Sequence, residues 1–218
     1  MSELQRGWCE REVEEELPGL CAISLPVRPA IAGALDGKPP RAVAARLRQL
    51  ADRWRGARAI NVRQEPVPAA YRVFFRHIGL DPDIVRTPIE ALVLERMVDG
   101  GFLSKGALAD VLTVAVMDTG VPVWALDGDT LDGPLGVRLS RPGERLGEAP
   151  DAVGLAPERL VLADSKRPLA VLFGEIAPGH EPHAATRNLS LFSIQVPGVP
   201  LLHVEEALWM ARTLLEGT

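Results

Sequence analysis

Between residues 71 and 144 this 218-residue chain strings together a tyrosine-led amphipathic segment, a capped helix, an apolar helix bearing one carboxylate and a short hairpin. That order limits the folds open to it. The first segment reads Y-R-V-F-F-R-H-I-G-L-D-P at 71–82. Next, Thr87-Pro88-Ile89-Glu90 predicts a capping box, with threonine as cap, proline at the first helical position and glutamate reaching back to the cap amide. Ile89, Leu92, Val93, Met97 and Val98 supply an apolar face, and Gly100-Gly101 supplies a left-handed stop. Ser104 is a candidate cap for the helix that follows, which runs to Gly120 and is apolar on almost every face.

A helix of that kind is predicted to be buried, so its Asp110 needs a partner, because an unpaired buried charge is costly. Arg86, Arg96 and Arg138 are the basic candidates, and a structural ion pair stands beside a catalytic carboxylate as the explanation. Outside this core the run G-L-C-A-I-S-L-P-V at 19–27 predicts a buried strand, preceded by an acidic helix at 12–16. Strands are also predicted at 121–126, 135–140, 159–163, 169–173 and 189–196, a flexible loop at 143–158, and a closing amphipathic helix from Val204. Helices early and strands late predict an α+β architecture, a mixed and largely antiparallel sheet packed with helices. We expect one domain over 1–218: a strand and basic helix at 17–63, a core at 71–164, and strands and a helix at 165–218.

No apolar run reaches the length of a membrane span, and the N-terminus M-S-E-L-Q-R-G-W-C-E is too polar for a signal-peptide core. A cytoplasmic protein without a membrane partner is expected. Cys9 and Cys21 match neither a zinc site nor a redox pair. The net charge of −5 argues against indiscriminate nucleic-acid coating and against DNA as a partner. That average hides an asymmetry: residues 1–109 carry 16 basic and 14 acidic side chains, residues 110–218 carry 8 and 15. Between Gly37 and Arg63 eight basic residues face the single acid Asp52. A helix predicted over 40–56 buries Val43, Leu47, Leu50 and Trp54 and stacks Arg41, Arg48 and Arg55 on another face, the one candidate RNA-facing patch.

Conventional catalytic signatures are missing: no P-loop, no dinucleotide fingerprint and no nucleophile elbow. His180-Glu181-Pro182-His183 holds two imidazoles near a carboxylate, but its proline breaks the helical spacing a metalloprotease needs, so no metal or other cofactor is expected.

Taken with R-T-P-I-E-A-L at 86–92, L-A-D at 108–110, G-P-L-G-V-R-L-S-R-P-G-E at 133–144 and P-E-R-L-V-L-A-D at 157–164, the chain resembles the tRNA-editing (B3/B4) domain of the phenylalanyl-tRNA synthetase beta subunit, standing alone. The resemblance runs from about Leu17 to the end. It implies a deacylase that hydrolyses mischarged aminoacyl-tRNA, with tRNA or aminoacyl-tRNA as partner. Free-standing relatives usually carry asparagine three residues after the helix aspartate, where this chain has Thr113. The histidine-containing editing motif of the synthetase has no counterpart here. A non-catalytic module binding tRNA or a free amino acid is therefore the alternative, and hydrolysis or binding of another, unrelated small molecule in the same pocket is a third reading.

Ester hydrolysis needs only a bound water, a carboxylate to orient it and donors for the developing oxyanion. On the resemblance, Glu90, Asp110 and Glu144 are the catalytic candidates and Arg86, Thr113 and Arg138 the substrate-binding ones. Each also has a structural explanation, Glu90 as a cap, Asp110 in an ion pair and Glu144 in a turn.

Overall fold

The computed structural model describes residues 3–30, 35–147, 150 and 152–217. Two short strands, β1 (Gln5–Arg6) and β2 (Trp8–Cys9), fall in the polar N-terminal stretch where sequence pattern gives no strand signal. They precede α1 (Arg11–Glu16) and β3 (Cys21–Val27), the predicted buried strand. Then come α2 (Arg41–Arg53), α3 (Gly56–Asn61), α4 (Pro66–His77), α5 (Pro88–Asp99) and α6 (Ala107–Thr119). The second half holds β4 (Trp124–Asp127), β5 (Gly136–Leu139), β6 (Arg145–Leu146), β7 (Val153–Gly154), β8 (Leu160–Ala163), β9 (Pro168–Val171) and β10 (Leu189–Gln195), closed by α7 (Leu201–Glu216).

The strands form two four-stranded sheets, ordered β1-β3-β10-β4 and β2-β5-β8-β9, and β6 pairs with β7. All pairings are antiparallel except β2 with β5, so the α+β expectation holds. In the first sheet β3 and β10 are central and buried on nearly every residue, because α7 packs on both strands while α6 packs on α7 and α2. Fully buried Leu25, Leu191 and Leu208 anchor this layer, each contributing about 1.5–3 kcal/mol relative to exposure. The Tyr71 hydroxyl crosses from α4 to donate to the Ile194 carbonyl at 2.8 Å, tying the helix to β10. In the second sheet β2 approaches β5 so closely that a Cβ on Gly136 would lie 2.1 Å from the Trp8 ring. Only glycine fits there.

Several boundaries depart from the sequence expectation. The helix predicted over 40–56 ends at Arg53, and Arg55 lies outside it as the cap of α3, so the three-arginine stack is broken. Ser104 does not cap α6; Gly106 does, and the Ser104 hydroxyl donates instead to Asp110. The last helix starts one turn earlier than Val204, after Pro200. Within the predicted 143–158 loop β6 and β7 form a hairpin, while residues 148–149 and 151 of that loop lie outside the described residues. Among the described residues no helix is long and apolar enough to cross a membrane.

Candidate functional site

One open cavity of about 460 Å³ lies where α1, the end of α4 and the second sheet meet. Val13 and Leu17 from α1, Ile78 and Leu80 after α4, Leu139 of β5 and Leu160 of β8 give it apolar walls. Glu16, His77, Glu158 and Arg159 give it polar corners. Ligand sites commonly combine these traits, an apolar pocket with a few convergent polar groups.

Glu158 is held there in a conformation that L-residues rarely adopt, with φ at 60°. The buried Ser140 fixes the turn that imposes it. Its hydroxyl donates to the Ala156 carbonyl at 2.7 Å and accepts from the Arg159 amide at 2.9 Å, while its own carbonyl accepts from the Glu158 amide at 3.1 Å. Strain of this kind costs on the order of 1–3 kcal/mol and tends to collect at functional sites. Glu158→Gly is accordingly expected to raise the unfolding free energy by about 1 kcal/mol, read from urea unfolding, at the expense of the cavity carboxylate.

A second strained residue, Phe173 with φ at 60°, lies two residues beyond β9, beside the cavity. Its ring lies 5.0–6.0 Å from those of Tyr71, Phe74, Phe75 and Trp124, and Trp124 stacks on Phe192 at 5.5 Å. This cluster fills the space between the two sheets, leaving only about 10 Å³ beside Phe173. Burial pushes the Tyr71 phenol up, opposed by the Ser193 hydroxyl beside it. None of Ser140, Glu158 or Phe173 was a sequence candidate. The proline-glutamate turn at 157–158 was the only signal near them.

The catalytic candidates from the sequence occupy three separate places, and no sequence candidate lines this cavity. Arg138 and Glu144 meet: Nη1 and Nη2 donate to the two carboxylate oxygens at 2.8 and 2.5 Å, across the turn after β5. Glu144 also accepts from the Arg141 amide at 2.9 Å. The Arg138 guanidinium holds the Glu144 carboxyl below its ordinary value of 4.5, burial opposing. Because the folded value is the lower one, the pair's contribution is complete above the unfolded value and is lost as pH falls through the folded one. Glu144→Gln is expected to lower stability at pH 7 and to flatten the loss of unfolding free energy between roughly pH 5 and pH 3. Urea titrations across that range measure it.

Glu90 sits in a different network. It closes the expected capping box, accepting from the Thr87 amide and hydroxyl at 3.3 and 2.6 Å, and it also accepts from buried Arg72 at 2.6 Å. Among the described residues Asp110 has no arginine partner. Its oxygens accept from the Ser104 hydroxyl at 2.6 Å and the Lys105 amide at 3.0 Å, which fastens the preceding loop to the first turn of α6. Of the three arginines proposed for it, Arg138 is taken by Glu144, Arg96 donates to the Ala51 carbonyl at 2.8 and 3.0 Å, and Arg86 is exposed. The Thr113 hydroxyl donates to the Ala109 carbonyl one turn back, at 2.8 Å.

The basic segment is less basic in three dimensions than along the chain. Arg46 grips Asp118 with two bonds at 2.6 and 2.8 Å, and Arg53 reaches the same carboxylate at 3.2 Å. Asp118 lies 72 residues from Arg46, so no local count of charge includes it. Arg55 pairs with Asp52, and Arg58 lies over the Trp54 ring at 4.9 Å. Arg41 and Arg48 remain exposed on α2. The two histidines of the 180–183 stretch are apart in role: His180 Nδ1 lies 2.8 Å from the Thr130 hydroxyl and His183 Nε2 lies 3.3 Å from Asp127. Among the described residues no group of three or more His, Cys, Asp or Glu is gathered to hold a metal ion.

The family described as "B3/4 domain" matches residues 70–191. Similar proteins include the phenylalanine–tRNA ligase beta subunits of Xanthomonas campestris pv. campestris (strain 8004), 36% identical over 94 residues, and of Xylella fastidiosa (strain 9a5c), 35% identical over 94 residues. In each the match covers 43% of this chain and 12% of the relative. That of Psychrobacter arcticus (strain DSM 17307 / VKM B-2377 / 273-4) is 32% identical over 106 residues, 48% of this chain and 13% of the relative. The match thus spans about an eighth of the length of these curated relatives.

Proposed function

This chain belongs to the B3/4 domain family, and from that premise we propose that it is an aminoacyl-tRNA deacylase whose substrate's aminoacyl group sits in the cavity between α1, α4 and the second sheet. The observation that carries the reading is the cavity itself. Most of its wall, from His77 to Leu172, belongs to the family-matched segment, and its volume of about 460 Å³ accommodates an amino-acid side chain with its ester. The apolar walls take the side chain. Glu158 then faces the ester from a rigid turn, where a carboxylate can orient the attacking water and accept its proton as the tetrahedral intermediate forms. The ester C–O bond breaks, and the terminal ribose oxygen leaves with a proton. Arg159 and His77 are the cavity's donors for the developing oxyanion.

Glu90, Asp110 and Glu144 remain candidates for the same work on the family resemblance, with Arg86, Thr113 and Arg138 for substrate contact. Exposed Arg41 and Arg48, joined by Arg55, are the proposed tRNA contacts, and a cytoplasmic location fits such a substrate. Incubating the protein with a panel of correctly and incorrectly charged tRNAs, tyrosine on phenylalanine tRNA included, tests the reading. Selective loss of one amino acid, reduced at least tenfold by Glu158→Gln, is expected. Hydrolysis at the uncatalysed rate across the panel would sink it.

A second reading, a module that binds tRNA or an amino acid without hydrolysing it, is favoured by one observation. The Thr113 hydroxyl, the nearest substitute for the asparagine of related free-standing domains, is spent on its own helix. Saturable binding without turnover in the same panel would select it.

A further inference from the structure

A second cleft, of about 600 Å³, opens on the first sheet, and nothing in the deacylase reading uses it. Gln5 of β1, Ser24 and Pro26 of β3 and Ser190 of β10 share one face of that sheet by register: Gln5 is opposite Ser24, and Ser190 is opposite Pro26. Ser24 and Ser190 are therefore diagonal neighbours, roughly 7–8 Å apart at Cα. Both residues are more than nine-tenths buried, both line the cleft, and neither hydroxyl has a hydrogen-bond partner among the described residues. Unlike the sealed Ser193 hydroxyl, which is buried without a hydrogen-bond partner among the described residues, both oxygens open to the cleft and are free to bond whatever fills it.

The charged rim is equally specific. Arg28 Nε donates to Asn188 Oδ1 at 3.1 Å, and Asn188 Nδ2 donates to Asp129 Oδ1 at 2.5 Å. The amide thus holds a cation and a carboxylate on opposite sides of itself. Both terminal nitrogens of Arg28 and the second oxygen of Asp129 are without a partner among the described residues. A guanidinium fork fits a carboxylate, and an aspartate fits an ammonium. Among the described residues no aromatic side chain lines the cleft, so they offer no platform on which to stack a nucleobase.

We propose that this cleft binds a free α-amino acid as its zwitterion, with the α-carboxylate on Arg28, the α-ammonium on Asp129, and the Ser24 and Ser190 hydroxyls toward its side chain. The site is separate from the cavity around Leu160 and does not depend on hydrolysis.

Calorimetric titration of the full chain with each of the twenty L-amino acids tests it, followed by titration with the methyl ester and N-acetyl forms of any that bind. One-to-one binding is expected for at least one, weakened at least tenfold in Arg28→Gln and in Asp129→Asn. Loss of either ligand charge should weaken it to the same degree. Both replaced side chains are exposed, so the variants should keep the fold, checked by circular dichroism. Leu160→Trp, which fills the deacylation cavity, should leave this binding unchanged. Absence of heat with all twenty amino acids, equal binding by both rim variants, or equal binding of the methyl ester overturns the proposal. An ester bound as well as the free acid, and lost in Leu160→Trp, assigns the amino acid to the cavity instead.

Discussion

Replacing Glu90 with alanine is expected to lower the unfolding free energy by about 3 kcal/mol, because one carboxylate satisfies two buried needs. Arg72 is buried on α4, with its side chain 9% exposed, and binds Glu90 Oε1 at 2.6 Å. The other oxygen closes the N-terminus of α5 through Thr87, which is itself fully buried. Truncation leaves a guanidinium in a dry site and an uncapped helix start together. Asp83 stays on Arg72 Nη2 at 2.7 Å and limits the damage, which places the loss at the low end for a broken buried pair. Glu90→Gln keeps the cap acceptor and a neutral acceptor for Arg72, so it should lose about half as much. Urea unfolding of both variants measures the effect. A loss under about 1 kcal/mol for the alanine variant would mean that Arg72 and the cap are satisfied elsewhere, and would favour the catalytic role of Glu90 over the structural one.

Local chemistry was legible in the sequence, and long-range chemistry was not. The capping box at Thr87 and Glu90 could be read because all its atoms fall within four residues. The burial of β3 could be read because a continuous apolar run has few other uses. Arg72 gave no such signal. It sits between Tyr71 and Val73 in a segment whose helical periodicity reads equally well with a solvated arginine, and only Glu90, 18 residues on, makes its burial tolerable. The same limit explains the basic patch. Arg46 and Arg53 counted as free charge until α6 brought Asp118 against α2. Asp110 was read correctly as a buried carboxylate needing partners. The partners turned out to be a hydroxyl and an amide of its own loop rather than an arginine, because local donors compete effectively for a carboxylate near a helix start.

The cavity was the least legible element. Its wall combines α1, the end of α4 and three strands separated by as many as 159 residues, from Val13 to Leu172. Glutamate at a left-handed position has no sequence signature, since such positions favour glycine or asparagine. Ser140 creates that geometry from the neighbouring strand, and serine after a strand is otherwise unremarkable.

Filling the cavity is expected to have the largest functional effect. Leu160 is only partly buried and faces the open space with Leu139, its cross-strand partner. Tryptophan there extends into the cavity rather than into packed core, so stability should change by less than about 1.5 kcal/mol while the aminoacyl group loses its seat. A displaced ester also loses its alignment with the water held by Glu158, and misplacement by about 1 Å can cost on the order of a hundredfold in rate.

The direct measurement is the single-turnover rate of amino-acid release from the preferred mischarged tRNA, compared between wild type and Leu160→Trp at matched folding. The cavity account gives at least a hundredfold slower release in the variant, with tRNA binding retained. Equal rates in the two proteins would contradict it and move the chemistry to Glu144, Arg138 or Asp110.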